Sequence, residues 1–224
     1  MIHLLKSIKH LRDQNMKIKI CGITKMNEVE FLNFLRPDYI GFVFAESARK
    51  VSIEEACLLY KKLDKRIKVV GVFRNNSEDF IKEVIKEVPL DVIQLHGEEG
   101  NDFIESIKIV GKELWKGINI RIKDDMLKAM NYRVDALVLD SSMPGSGELF
   151  DWNLLQDINI SNKIILAGGL NEDNVLEGIS KVNPYGIDIS SGVEKVDKDG
   201  IRKKDRDKVE LFIRKVRDRY EREV

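Results

Sequence analysis

Cysteine, histidine and net charge are all scarce in this chain of 224 residues, and each scarcity closes off a class of protein. Cys21 and Cys57 are too few for a disulfide framework; they fit a reducing cytoplasm, where one thiol is free to do chemistry. His3, His10 and His96 stand at no spacing with Cys, Asp or Glu that would hold a metal, so none is expected. The 38 Lys and Arg balance 38 Asp and Glu, which removes the electrostatic reason to expect nucleic acid or an anionic membrane as partner. A small anionic ligand needs only a local site and stays open. No apolar run approaches the ~20 residues that span a bilayer. The first sixteen residues carry scattered charges and no apolar core, so they do not read as a secretory signal. Residues 1–16 read instead as an N-terminal extension, a short helix or an artefact of start-site choice.

What the chain does have is a rhythm. Short β-branched runs alternate with amphipathic stretches, with strands expected at Lys17–Cys21, Tyr39–Phe44, Lys68–Phe73, Val92–Leu95, Leu114–Gly117, Ala136–Asp140, Lys163–Ala167 and Gly186–Ser190. Their starts lie 22 to 29 residues apart, the length that one strand, one helix and two short loops take up. The strands are nearly continuous in Ile, Val and Leu, the mark of a parallel sheet covered on both faces. Ser52-Ile53-Glu54-Glu55 reads as a capping box, Ser77 as a helix cap, and a helix is expected over Asn171–Lys181. Val209, Phe212, Ile213 and Val216 give the last helix one apolar face, while the mixed charges of Asp197–Glu223 read as a solvated outer surface. An open nucleotide-binding sheet would carry a glycine-rich fingerprint after the first strand, where this chain has Cys21-Gly22-Ile23-Thr24. The expectation is therefore an α/β protein with one domain over 17–224, a closed (β/α)8 or TIM barrel, with function at the C-terminal strand ends.

Those ends hold the candidate residues. Cys21 closes the first strand beside a glycine; a free cysteine is commonly a small buried hydrophobe, but this position faces the barrel mouth. Asp140 closes an apolar strand, either as a turn cap for Ser141-Ser142 or as a reacting carboxyl, and 144–147 form a flexible loop after it. Gly168 and Gly169 follow the seventh strand, and Asp188 with Ser190, Ser191 and Gly192 mark the eighth. Glycine turns at these two places expose backbone N–H groups in the usual phosphate site of this architecture. Arg49, on the second loop, is either a solvated charge or a fork for a carboxylate. His96 is either an acid or base, or a partner within the loops.

Together these segments resemble the phosphoribosylanthranilate isomerases over nearly all of the chain after residue 16. The resemblance is carried by Lys19-Ile20-Cys21-Gly22-Ile23-Thr24, Gly41-Phe42-Val43-Phe44, Gly71-Val72-Phe73, Gln94-Leu95-His96-Gly97-Glu98, Leu139-Asp140, Gly145-Ser146-Gly147, Phe150-Asp151-Trp152, Ala167-Gly168-Gly169-Leu170 and Ser190-Ser191-Gly192-Val193-Glu194. It implies a cytoplasmic enzyme of tryptophan biosynthesis that performs an Amadori rearrangement of a small phosphorylated substrate without metal or cofactor. It implies Cys21 as general base, Asp140 as general acid, Arg49 as carboxylate ligand, and the two glycine turns as phosphate grip. The second loop departs from the family pattern, being one residue short before Ser47 and carrying Lys50 in place of an aromatic residue. The sixth loop is trimmed and has Glu148-Leu149. A sister isomerase of histidine biosynthesis, and a barrel serving only as a scaffold, are the rival readings. Monomer and homodimer are both allowed.

Overall fold

The computed structural model describes residues 16–108, 110–141, 149–155, 158 and 160–222, the last three by their backbone alone. Eight strands form at Lys17–Cys21 (β1), Tyr39–Val43 (β2), Lys68–Phe73 (β3), Val92–Leu95 (β4), Glu113–Asn119 (β5), Ala136–Asp140 (β6), Lys163–Leu166 (β7) and Gly186–Ile189 (β8). They close a parallel barrel in chain order, with β8 paired back onto β1. Four strands have the expected bounds. β2, β7 and β8 stop one residue earlier, and β5 runs longer because its pairing with β6 continues to Asn119 opposite Asp140.

The helices are Met26–Leu35 (α1), Ile53–Lys62 (α2), Glu78–Glu87 (α3), Asn101–Lys108 (α4), Lys123–Ala129 (α5), Val175–Val182 (α6) and Arg206–Arg222 (α7). Ser52 caps α2 by accepting the Glu55 N–H at 3.1 Å, and Glu55 returns the bond to the Ser52 N–H at 2.8 Å. Ser77 caps α3. The helix expected from Asn171 starts only at Val175. Asn171 Oδ1 accepts the N–H groups of Asp173 and Asn174, and Asn174 Oδ1 accepts that of Asn171, so these side chains hold a turn in place of helix. Between β6 and β7 the described residues hold only a 3-10 turn, Trp152–Leu155. Residues 1–15, with His3 and His10, and the sixth loop at 142–148 lie outside the described residues.

Strand side chains alternate between two cores. Ile18, Ile20, Ile40, Phe42, Leu137 and Leu139 meet the helices. Tyr39, Val70, Val92, Trp115, Val138 and Ile165 fill the lumen. Cys21 and Asp140 share the lumen parity and are its last members at the C-terminal ends of their strands. At the opposite end Asp38, Asp91 and Asp135, each just ahead of a strand, accept the N–H groups of Ile18, Val69 and Leu114 at 3.1, 2.8 and 2.8 Å.

The charged run after residue 197 departs from expectation. Glu194–Val196 (β9) and Arg202–Lys204 (β10) pair as an antiparallel hairpin, and Lys204 is buried opposite Glu194. The Lys204 backbone N–H is accepted by Glu28 at 2.7 Å, which ties the hairpin to the start of α1. α7 then buries Val209, Phe212, Ile213 and Val216 as its spacing predicts. Among the described residues no helix is long and apolar enough to cross a membrane.

Candidate active site

The C-terminal strand ends surround a cavity of about 270 Å³ whose wall includes Cys21, Arg49, His96, Asp140, Gly168, Gly169, Asp188, Ser190 and Ser191. Nine of the ten candidate residues thus line one space. The tenth, Gly192, stands behind it: a Cβ there would lie 2.0 Å from the Leu170 carbonyl, so a glycine is needed for the seventh and eighth loops to touch. Glycines clear space for Cys21 and His96 as well. A Cβ at Gly41 would fall 2.8 Å from Cys21 Sγ, and one at Gly117 would fall 2.5 Å from the His96 ring. Gly168 and Gly169 are both in the left-handed region (φ 74° and 62°), and neither N–H has a partner among the described residues. α6 starts only at Val175, so the turn that follows β7 leaves these N–H groups ahead of any helix end.

A buried polar chain connects the two sides of the mouth. Lys19 Nζ donates to Asp188 Oδ2 at 2.6 Å and to Gln94 Oε1 at 2.9 Å. The Gln94 amide N–H therefore points at His96 Nδ1, 3.2 Å away. That assignment puts the His96 proton on Nε2, which faces Asp140 Oδ2 at 3.6 Å, just beyond hydrogen-bond range. Among the described residues His96 Nε2 and Asp188 Oδ1 are buried with no partner, polar atoms left available at the mouth. Lys19 and Gln94 are additions to the residues expected from sequence. Their signal was a Lys and a Gln inside otherwise apolar strands.

Burial pushes the Asp140 carboxyl up to about 6, aided by the Asp188 charge and opposed by the Ser141 N–H. Burial pushes the Cys21 thiol up as well, while the cations Lys19 and Lys204 pull it down. Burial opposes the Lys19 charge too, but Asp188 and Cys21 together outweigh it and Lys19 stays charged. His96 is pushed down to about 4 by burial and by Lys19, Lys116 and Arg74, so it is neutral wherever Asp140 is ionised. The His96–Asp140 contact is therefore a neutral donor beside a carboxyl, not an ion pair.

Arg49 reaches the cavity on the second loop, but its Nε and Nη2 are held by both oxygens of Glu194 at 2.7 and 2.8 Å. Gly22 (φ 81°) passes so close under this arginine that a Cβ would sit 2.5 Å from Arg49 Cδ. Lys204 completes the cluster, donating to Glu194 at 2.6 Å and to Ser190 O and Oγ at 3.1 Å. Ser190 Oγ in turn donates to the Cys21 carbonyl at 3.0 Å. The eighth loop, the end of β1 and Arg49 are thus braced by one buried lysine that hides, in the sequence, among a run of surface charges. Among the described residues no group of three or more His, Cys, Asp or Glu is placed to hold a metal ion.

The family model described as N-(5'phosphoribosyl)anthranilate (PRA) isomerase matches residues 18–215. An N-(5'-phosphoribosyl)anthranilate isomerase of Clostridium beijerinckii is 43% identical, covering 90% of this chain and 97% of its own. One from Clostridium acetobutylicum is 44% identical, covering 90% and 98%. The crystal structure of the Thermotoga maritima phosphoribosyl anthranilate isomerase superposes with a TM-score of 0.82 at 35% identity, over 90% of this chain and 98% of that one. A second isomerase structure, in complex with reduced 1-(o-carboxyphenylamino)-1-deoxyribulose 5-phosphate, gives 0.79 at 33% identity and the same coverage. Sequence, fold and relatives agree: this chain belongs to the N-(5'-phosphoribosyl)anthranilate isomerase family.

Proposed function

We propose that this isomerase of tryptophan biosynthesis works by general acid–base catalysis, with Asp140 as the acid and Cys21 as the base. The observation that carries the reading is the pairing of a carboxyl raised to about 6 with a thiol flanked by lysines, across one cavity. Asp140 protonates the furanose ring oxygen of N-(5-phosphoribosyl)anthranilate. The C1–O bond breaks and the anthranilate nitrogen lone pair closes a C=N+ bond. The Cys21 thiolate removes the C2 proton, and that electron pair moves into C1=C2 as the iminium is neutralised. The enolamine then tautomerises: C1 takes up a proton, the C2 hydroxyl releases one, and the ketose, 1-(2-carboxyphenylamino)-1-deoxyribulose 5-phosphate, results. The iminium is the electron sink, so the scheme needs no cofactor.

The surrounding residues have matching tasks. Lys19, fixed by Asp188, supplies the positive charge that a thiolate needs. The His96 Nε2–H meets the Asp140 carboxylate once it has given up its proton. Gly168 and Gly169, with Ser190, Ser191 and Gly192, hold the phosphate. Arg49, oriented by Glu194, offers its remaining N–H edge to the anthranilate carboxylate. A homodimer has a precedent in the Thermotoga maritima relative, whose structure is described as that of a dimeric isomerase made monomeric; light scattering decides it here.

The protonation states run against the usual order, because the acid titrates below the base. Below about pH 6 the thiolate is lost tenfold per unit while Asp140 is fully protonated. Between the two values the losses offset, and above the Cys21 value the protonated form of Asp140 runs out. The rate therefore falls on the acid side near pH 6 and is flat through neutrality. The decisive assay follows the decay of anthranilate-type fluorescence when purified protein meets freshly generated phosphoribosylanthranilate. A rapid decay that drops at least about a hundredfold in Cys21→Ser and in Asp140→Asn supports the reading. Near-normal turnover in either folded variant removes that residue from the mechanism.

A further inference from the structure

The loop after β3 has no task in this scheme, yet it carries a cation into the cavity wall. We propose that Arg74 is a second ligand for the substrate's carboxylate and sets the preference for an acidic aryl group. The proposal rests on the isomerase reading above and deepens it.

Geometry fixes which part of the substrate reaches Arg74. In a ring of eight strands in chain order, β3 lies opposite β7 and β4 opposite β8. A phosphate at the seventh and eighth loops, and a reacting carbon between Cys21 and Asp140, leave the aryl end to extend over β2 and β3. The cavity wall there is apolar where a ring would rest, at Val43, Ala45 and Val72, with Arg49, Arg74, Glu46 and Ser47 around it.

Charge in that quarter singles out one residue. Arg49 is engaged by Glu194, and Lys50 by Glu46. Arg74 is exposed, and among the described residues its guanidinium has no hydrogen-bond or ion-pair partner. Its charge reaches into the site, because it is one of the cations that hold His96 neutral. A bidentate carboxylate would supply the anion that this arginine lacks.

The stem under Arg74 is fixed even though its tip is free. The Arg74 N–H donates to Asn76 Oδ1 at 2.9 Å. Asn75, in the left-handed region at φ 56°, gives its N–H to Glu99 at 2.7 Å and accepts the Glu98 N–H at 2.7 Å. Glu99 is itself buried against Lys116 at 2.8 Å. The loop is thus tied to a buried ion pair between β4 and β5, and only the side chain has to order when a ligand arrives.

The test compares wild type, Arg74→Ala and Arg74→Lys in steady-state turnover of phosphoribosylanthranilate. It also compares their binding of reduced 1-(o-carboxyphenylamino)-1-deoxyribulose 5-phosphate and of its analogue lacking the carboxyl. The expected result for Arg74→Ala is a KM raised about tenfold or more with kcat nearly kept, as loss of uniform binding produces. The carboxylated analogue should weaken by a similar factor, the decarboxylated one should bind both proteins alike, and Arg74→Lys should recover part of the loss. Inhibition by inorganic phosphate should not change. Unchanged KM and affinity in Arg74→Ala, an equal loss for both analogues, or weakened phosphate inhibition would each overturn the assignment. Wild-type protein without turnover would instead overturn the isomerase mechanism, so the two failures are distinct.

Discussion

The two ends of the barrel use their aspartates in opposite ways. At the N-terminal end Asp38, Asp91 and Asp135 each accept a backbone N–H from a neighbouring strand and stitch β1, β3 and β5 to the turns beside them. At the C-terminal end Asp188 leaves Oδ1 buried without a partner among the described residues, and Asp140 is held partly out of water with its carboxyl raised to about 6. Polar groups at the first end are satisfied and hold strands together. At the second they are kept short of partners and ready for a ligand. The same residue type therefore stabilises one end and weighs on the other, which is the pattern expected where stability is exchanged for chemistry.

Four substitutions sharpen or break this contrast. The largest effect is expected for Asp140→Asn on activity, a loss of about 10²–10⁴ in turnover, read by the fluorescence assay. Next is Lys19→Met, which leaves the Asp188 charge buried and unpaired and should cost about 3–5 kcal/mol in chemical denaturation. Adding Asp188→Asn should return much of that stability but not the activity, because the thiolate still lacks its cation. Third, Asp140→Asn should make the fold more stable. Asp140 binds its proton more tightly folded than unfolded, so wild-type stability declines as pH rises through the interval from about 4 to 6. The ionised group then costs about 3 kcal/mol above pH 6. The variant should melt higher than wild type at pH 8 and equally at pH 3.5; a lower melting point at pH 8 would contradict the contrast. The smallest effect is expected at the other end: Asp135→Ala should lose about 1–3 kcal/mol with kcat unchanged, since it strands the Leu114 N–H.

The sequence was informative where one local rule sufficed. The strand runs needed only their β-branched continuity and even spacing, so the barrel was legible, and Cys21 and Asp140 stood out as polar ends of apolar strands. Asn171 defeated the helix boundary because its side chain competes with the helix through bonds to its own turn. Lys204 reads as surface in the sequence because its partner, Glu194, faces it only across the β9–β10 hairpin. For Arg49 the sequence offers a solvated charge or a carboxylate fork, and nothing local announces its partner 145 residues away. Buried ion pairs between distant segments obey no periodicity, and most of the unforeseen part of this site consists of them.

Gly168 carries one more consequence. A Cβ on it would lie 2.7 Å from Asp140 Oδ1 and 2.5 Å from the Ser141 N, so the proposed phosphate turn and the proposed proton donor share a wall. A dianion seated on that turn repels the ionised form of Asp140 and favours its protonated form. Reciprocity then requires the phosphate to bind more tightly to enzyme whose Asp140 is protonated. The phosphate thereby favours the protonated form that the proposed acid needs. A substrate stripped of it would lose turnover as well as affinity.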